Sequence, residues 1–145
     1  MKTVVVVSGY FNPIHIGHIR LLEAASELGD HLVVVVNNDR QQLLKKGKVI
    51  MSEDERREVV AAIRYVDDAV IALDDDPTII RTLDQVAREH TDDQIIFANG
   101  GDRQSSRDIP EASVCQRHGI ELRFAVGGNE KLNSSSNINQ IRGAE

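Results

Sequence analysis

The sequence predicts one α/β domain built on a doubly wound, five-stranded parallel sheet. Strand-length apolar runs alternate with helical segments along the whole chain, a pattern that specifies right-handed crossovers and a parallel sheet. The first run is continuously Val-rich, as a strand covered on both faces must be. The 145 residues suffice for one core without disulfide or metal staples, and no repeat or linker divides them, so one domain over 1–145 is expected.

Taken in order, residues 2–8 form the first strand, which ends at Gly9. From residue 16, Ile19, Leu22 and Leu28 with Ala24 and Ala25 keep helical spacing until Gly29 stops the pattern. Residues 31–36 make a second strand. Residues 37–49 are polar and lysine-rich and are read as a loop with at most one helical turn. Ser52 with Glu55 fits a capping box, opening a helix that runs to residue 64. A third strand covers 69–73, and Asp76 with Pro77 caps a helix running to residue 90. A fourth strand covers 94–98, a helix 110–118, a fifth strand 120–126 and a short last helix 134–142.

Composition excludes some functions. Seventeen Lys plus Arg against 23 Asp plus Glu give a net charge of -6, so no broad positive field exists to hold nucleic acid or an anionic membrane. An anionic ligand must be held locally. The early apolar run Val4, Val5, Val6, Val7 is too short for a signal-peptide core or a membrane span. The single Cys115 cannot form an internal disulfide, which fits a reducing compartment, so a cytoplasmic protein is expected.

The chemistry concentrates where the first strand runs into Gly9-Tyr10-Phe11-Asn12-Pro13-Ile14-His15-Ile16-Gly17-His18 and then a helix. In an open parallel sheet, ligands sit beyond the carboxyl ends of the strands, at the switch in strand order. His15 and His18 are three apart at a helix start, so their rings share a side on which the helix dipole favours an anion. Gly17 between them lets a phosphate approach the backbone. Such a pair suits the charge that builds on a triphosphate attacked at its α-phosphorus, without any need to move protons. A zinc site lacks an evident third ligand.

These residues resemble the cytidylyltransferase-like nucleotidyltransferases, whose loop has the form G-x-F-D-x-x-H-x-G-H on a Rossmann-like fold. The resemblance continues through Arg64-Tyr65-Val66-Asp67, which is similar to the R-Y-V-D stretch of glycerol-3-phosphate cytidylyltransferases, and through the preceding lysines and a helix containing Arg56. It ends at Ser134-Ser135-Ser136-Asn137-Ile138, similar to the family's hydroxyl-rich helix start, I-S-T-T-x-I. Three positions depart from the pattern. Asn12 replaces the usual Asp. Gly100-Gly101-Asp102-Arg103 is closer to the G-G-D of heptose-phosphate adenylyltransferases than to G-D-D. Lys131 follows Asn129 where an Arg is usual.

The resemblance implies transfer of CMP from CTP, with Mg2+ on the triphosphate, to the phosphate of a small phosphorylated alcohol, releasing pyrophosphate. The alternative is an adenylyltransferase using ATP on a sugar phosphate, nicotinamide mononucleotide, a flavin or pantetheine phosphate. It also implies a homodimer. His15, His18, Lys45 and Lys131 are then expected to stabilise the reacting phosphates. Gly9, Tyr10, Phe11, Gly17, Arg64, Gly100, Asp102, Ser134, Ser135 and Ser136 are expected to bind the nucleotide, with Arg64 reading cytosine. Asn12, Asp39, Lys46 and Arg103 are expected to face the second substrate.

Overall fold

A computed structural model of the chain describes residues 1–100 and 109–127. The five strands are β1 (Thr3–Gly9), β2 (His31–Val36), β3 (Asp68–Ile71), β4 (Gln94–Ala98) and β5 (Glu121–Arg123). They pair in parallel in the order β3-β2-β1-β4-β5. The order reverses between β1 and β4, which puts the topological switch point beside the end of β1.

Period-two alternation divides the strand side chains between two cores. Val4, Val6, Val33 and Val35 pack with Leu83, Val86 and Val114 on one face of the sheet. Val5, Val7, Val34 and Val36 pack with Leu22, Ala25 and Val60 on the other. The helices that supply these partners are α1 (Ile16–Ser26), α3 (Glu53–Ala61), α4 (Ile80–Glu89) and α5 (Ala112–His118). Because both faces are covered, β1 shows an unbroken apolar run with no polar alternation.

The structure corrects several expected boundaries. Residues 39–46 form a regular helix, α2 (Asp39–Lys46), where a loop was expected. Asn38 caps it in a reciprocal box with Gln41, lysines occupy its last turn, and Gly47 closes it at φ 76°. Its buried face is Gln41 and Gln42, so no apolar stripe announced it. Gln41 satisfies its amide on Asn37, Asn38, Asp76 and Thr78.

Helix α3 stops at Ala61, and β3 starts one residue earlier and stops two residues sooner than expected. Helix α4 begins at Ile80, not at Pro77 behind an Asp76 cap. Asp76 turns back on Thr78, while buried Asp74 caps the helix by accepting from the Arg81 and Thr82 N–H groups and the Thr82 hydroxyl. Helix α5 begins at Ala112, and β5 ends at Arg123 because Ala125, at φ 55°, turns the chain away. The expected helix at 134–142 lies outside the described residues. Among the described residues no helix is long and apolar enough to cross a membrane.

Candidate active site

The site begins with the way β1 ends. Phe11 takes a positive φ of 52° and folds its ring into the core under the end of the strand. A Cβ at Gly9 would lie 2.8 Å from Phe11 Cζ, so only glycine leaves room for the ring. The Phe11 ring meets His18 edge-on at a centroid distance of 4.9 Å. Phe11 therefore acts as a buried support, and a ligand at this loop could meet only its backbone. The Asn12–Pro13 peptide is cis, and the Asn12 side-chain carbonyl accepts from the Ile50 and Met51 N–H groups at 3.2 and 2.9 Å. That oxygen was expected to face substrate; it ties the loop to the link between α2 and α3.

His15 is the N-cap of α1. Its Nδ1 accepts the Gly17 N–H at 3.0 Å, and His18 Nδ1 accepts the His15 N–H at 3.1 Å, a capping box built from two imidazoles. With Nδ1 accepting, each neutral ring must carry its proton on Nε2 and is a donor there. The rings lie 3.8 Å apart, centroid to centroid. Burial lowers the pKa of both, and burial together with the neighbouring His15 brings His18 to about 3. The pair is thus neutral at physiological pH. The Gly17 N–H, expected to meet a phosphate directly, is taken by His15. What the helix start offers an anion is relayed through two Nε2–H groups.

Lysine arrives from α2. Lys45 Nζ stands 4.5 Å over the Tyr10 ring, which joins the end of β1 to the end of α2 across the strand edge. Lys46 is exposed on the same last turn. Asp39, expected to bind substrate, pairs with Arg56 at 2.7 Å, and its N–H donates to Glu53. Gly100 follows β4, where an added Cβ would lie 3.9 Å from Leu21 on α1. Gly127, at φ 86°, passes close to the backbone of Arg20 and Leu21. Gly100 after β4 and Gly127 after β5 thus both lie against α1.

Arg64 does not join this group. Helix α3 starts at the ligand edge and runs down to the amino edge, where the Asp67 N–H donates to Leu32 O and the Leu32 N–H to Asp67 Oδ2. Three residues earlier, exposed Arg64 lies over Tyr65, whose hydroxyl bonds Glu23 near the far end of α1. The six residues of β2 separate the two edges by about 20 Å. Lys131, Asp102, Arg103, Ser134, Ser135 and Ser136 lie outside the described residues. Among the described residues, no three His, Cys, Asp or Glu side chains group to hold a metal.

Sequence reasoning passed over Arg56 as a working part of the site. It is fully buried and donates to four oxygens at the ligand edge. The available signal was position: Arg56 lies four residues before Val60, on the buried stripe of α3.

The family model of the cytidylyltransferase-like proteins matches residues 6–141. The chain belongs to the cytidylyltransferase-like family. Within it, the chain is 50% identical over 68 residues to an FAD synthase of Pyrococcus abyssi (strain GE5 / Orsay), a match covering 46% of each protein. The chain thus spans under half of that relative's length. Its fold is similar to a lipopolysaccharide core biosynthesis protein from Thermoplasma volcanium GSS1, with a TM-score of 0.66 at 26% identity over 86% of this chain and 94% of the other. It is also similar to a candidate nicotinate-nucleotide adenylyltransferase from Vibrio parahaemolyticus, with a TM-score of 0.61 over 100% and 90% of the two chains. At 14% identity, that likeness speaks for the fold alone. The family supplies the nucleotidyltransferase character; a cytidylyltransferase-like fold does not choose the base.

Proposed function

We propose that this family member transfers a nucleoside monophosphate from a Mg2+-bound triphosphate, with ATP as donor, to the phosphate of a small phosphorylated acceptor. The carrying observation is the two-imidazole capping box at the switch point, in which both Nδ1 atoms accept backbone N–H groups and the ring protons therefore sit on Nε2 at a helix start. The triphosphate lies over the switch between β1 and β4, and the acceptor phosphate on the β2 side, where Lys45 stands beside Tyr10. An acceptor phosphate oxygen attacks the α-phosphorus, the bond from that phosphorus to the bridging oxygen breaks, and pyrophosphate leaves with the electron pair.

The acceptor needs no base, because a phosphomonoester with a second pKa of about 6 is mostly dianionic at neutral pH. The protein's work is to align two anions and stabilise the charge between them. His15 and His18 donate to the reacting phosphate, and Lys45 offsets repulsion. Asp39 is committed to Arg56, so Mg2+ would be held by phosphate oxygens and water, its usual preference; it supplies charge neutralisation on the leaving pyrophosphate.

ATP is preferred because Arg64, the residue on which the cytosine reading rested, stands at the opposite edge of the sheet. The FAD synthase relative also bears the name of an adenylyl-containing product. The second reading is CMP transfer from CTP to a glycerol-3-phosphate-like alcohol, favoured by the four-residue match from Arg64 to Asp67. Pyrophosphate release, measured for each nucleoside triphosphate against glycerol 3-phosphate, a sugar phosphate, nicotinate mononucleotide and FMN, tests both. Release with ATP and not CTP is expected. Release with CTP alone installs the second reading, and none with any pair removes both.

A further inference from the structure

Arg56 is the largest fully buried side chain in the described structure. A guanidinium taken wholly out of water has to be met by partners at every accessible donor. Its Nε donates to Met51 O at 2.9 Å, Nη1 to Tyr10 O at 2.8 Å and Asn37 O at 2.7 Å, and Nη2 to Asp39 Oδ1 at 2.7 Å. These oxygens belong to the loop after β1, the start of the segment after β2, and the link between α2 and α3. Three of the four are backbone carbonyls, so the planar fork fixes main-chain positions and not merely side chains. Asn12 closes the same junction by holding the Ile50 and Met51 N–H groups.

Tyr10 and Lys45 are the two ends of this arrangement. Tyr10 gives its carbonyl to Arg56 and its ring to Lys45, and Asp39 begins the helix that carries Lys45. Every oxygen named as a partner of Arg56 belongs to the β1–β2 side of the switch point. We propose that Arg56 is a positioning residue for the acceptor side of the site, holding Lys45 and Tyr10 at a fixed separation while touching neither substrate. This rests on the nucleotidyl-transfer reading above, which puts the acceptor phosphate beside Lys45.

Arg56→Lys replaces a fork by a point charge that cannot span four oxygens. Its kcat/KM for the acceptor should fall about 100-fold, the scale of an ångström of misplacement, while the dissociation constant of the Mg2+-triphosphate stays unchanged. Asp39→Asn, which keeps an acceptor oxygen but loses the charge, guards against a misfolded Lys variant and should lose on the order of 10-fold. Amide hydrogen exchange in the same variants needs no turnover. Residues 10–12, 37–39 and 49–51 should lose protection together, with 95–99 unaffected.

A folded Arg56→Lys protein with normal acceptor kinetics overturns the assignment, as does equal weakening of donor and acceptor or loss of protection in one segment alone. If the unmodified protein turns over no donor–acceptor pair, the nucleotidyl-transfer reading fails. The joint or separate loss of protection then still decides whether Arg56 holds the three segments as one unit.

Discussion

His18 Nδ1 accepts the backbone N–H of His15 at 3.1 Å, while His15 Nδ1 accepts that of Gly17. The two candidate phosphate donors are therefore also the cap of α1, and an alanine substitution would confuse two losses. His15→Asn separates them. The Asn side-chain oxygen can take the Gly17 N–H, since Asn is among the best N-caps, but it offers nothing where Nε2–H stood. The Asn variant should keep its melting temperature and lose about 100-fold in turnover. His15→Ala should lose comparable turnover and in addition about 1 kcal/mol of stability. Full turnover in the Asn variant would end the donor role.

Burial, with the neighbouring His15, holds His18 near pKa 3, against 6.5 for a free imidazole. Between those values the unfolded chain binds a proton that the folded chain refuses, so stability rises with pH through the interval. The contribution is complete above about pH 6.5 and is lost as pH falls towards 3. Urea unfolding over this range should show a shallower pH dependence in His18→Asn than in the unmodified protein. The activity profile should instead carry one acid limb near pH 6, set by the acceptor's own second ionisation. NMR finding His18 protonated on both nitrogens at neutral pH would refute the account.

Gly9 and Phe11 form a steric pair. Gly9→Ala puts a methyl 2.8 Å from a ring that is 2% exposed and cannot swing into solvent. The variant should be about 1–3 kcal/mol less stable, the usual cost of overpacking, and less active, because the same ring supports His18. Shortening the ring in a Gly9→Ala, Phe11→Leu double variant should recover part of the stability, a coupling expected of residues in contact. Additive losses in denaturant titration would show that the contact is not the cause.

Much of this architecture was legible because it is written in apolar periodicity and turn residues. The Val-rich β1 and β2, Gly9 and the strand-to-helix position of His15 and His18 follow from pattern alone. Helix α2 was hidden because its buried face is Gln41 and Gln42, held by hydrogen bonds and not by apolar contact. Asp76 was mistaken for a cap because it does make a local turn, while the capping carboxylate of Asp74 reaches across seven and eight residues. Asn12, Asp39 and Arg56 could be seen as polar residues near a ligand edge. That they bind one another's loops is a tertiary fact, since apart from Met51 beside Arg56 and Glu53 beside Asp39 their partners lie 17 to 46 residues away in sequence. Arg64 illustrates the converse: a four-residue match fixes what a segment resembles but not which end of a helix faces the ligand.

That placement makes Arg64 the sharpest test of the donor base. Its guanidinium carbon lies 5.8 Å from the centre of the Tyr65 ring, an exposed cation–π contact worth about 0.5–1 kcal/mol, and the bonds of Asp67 to Leu32 anchor the following turn at the amino edge. Removing a surface side chain there should cost a little stability and leave distant binding within about twofold. Arg64→Ala is accordingly expected to show unchanged apparent constants for ATP and for CTP, with only a slightly lower melting temperature. A base reader behaves differently: its loss would weaken one nucleotide by about 1 to 3 kcal/mol, as an unmet hydrogen bond does, and spare the other. Titrating both triphosphates against the variant distinguishes these outcomes. A selective loss of CTP binding would return the donor to CTP and give Arg64 a route to the nucleotide that its position within one chain does not provide.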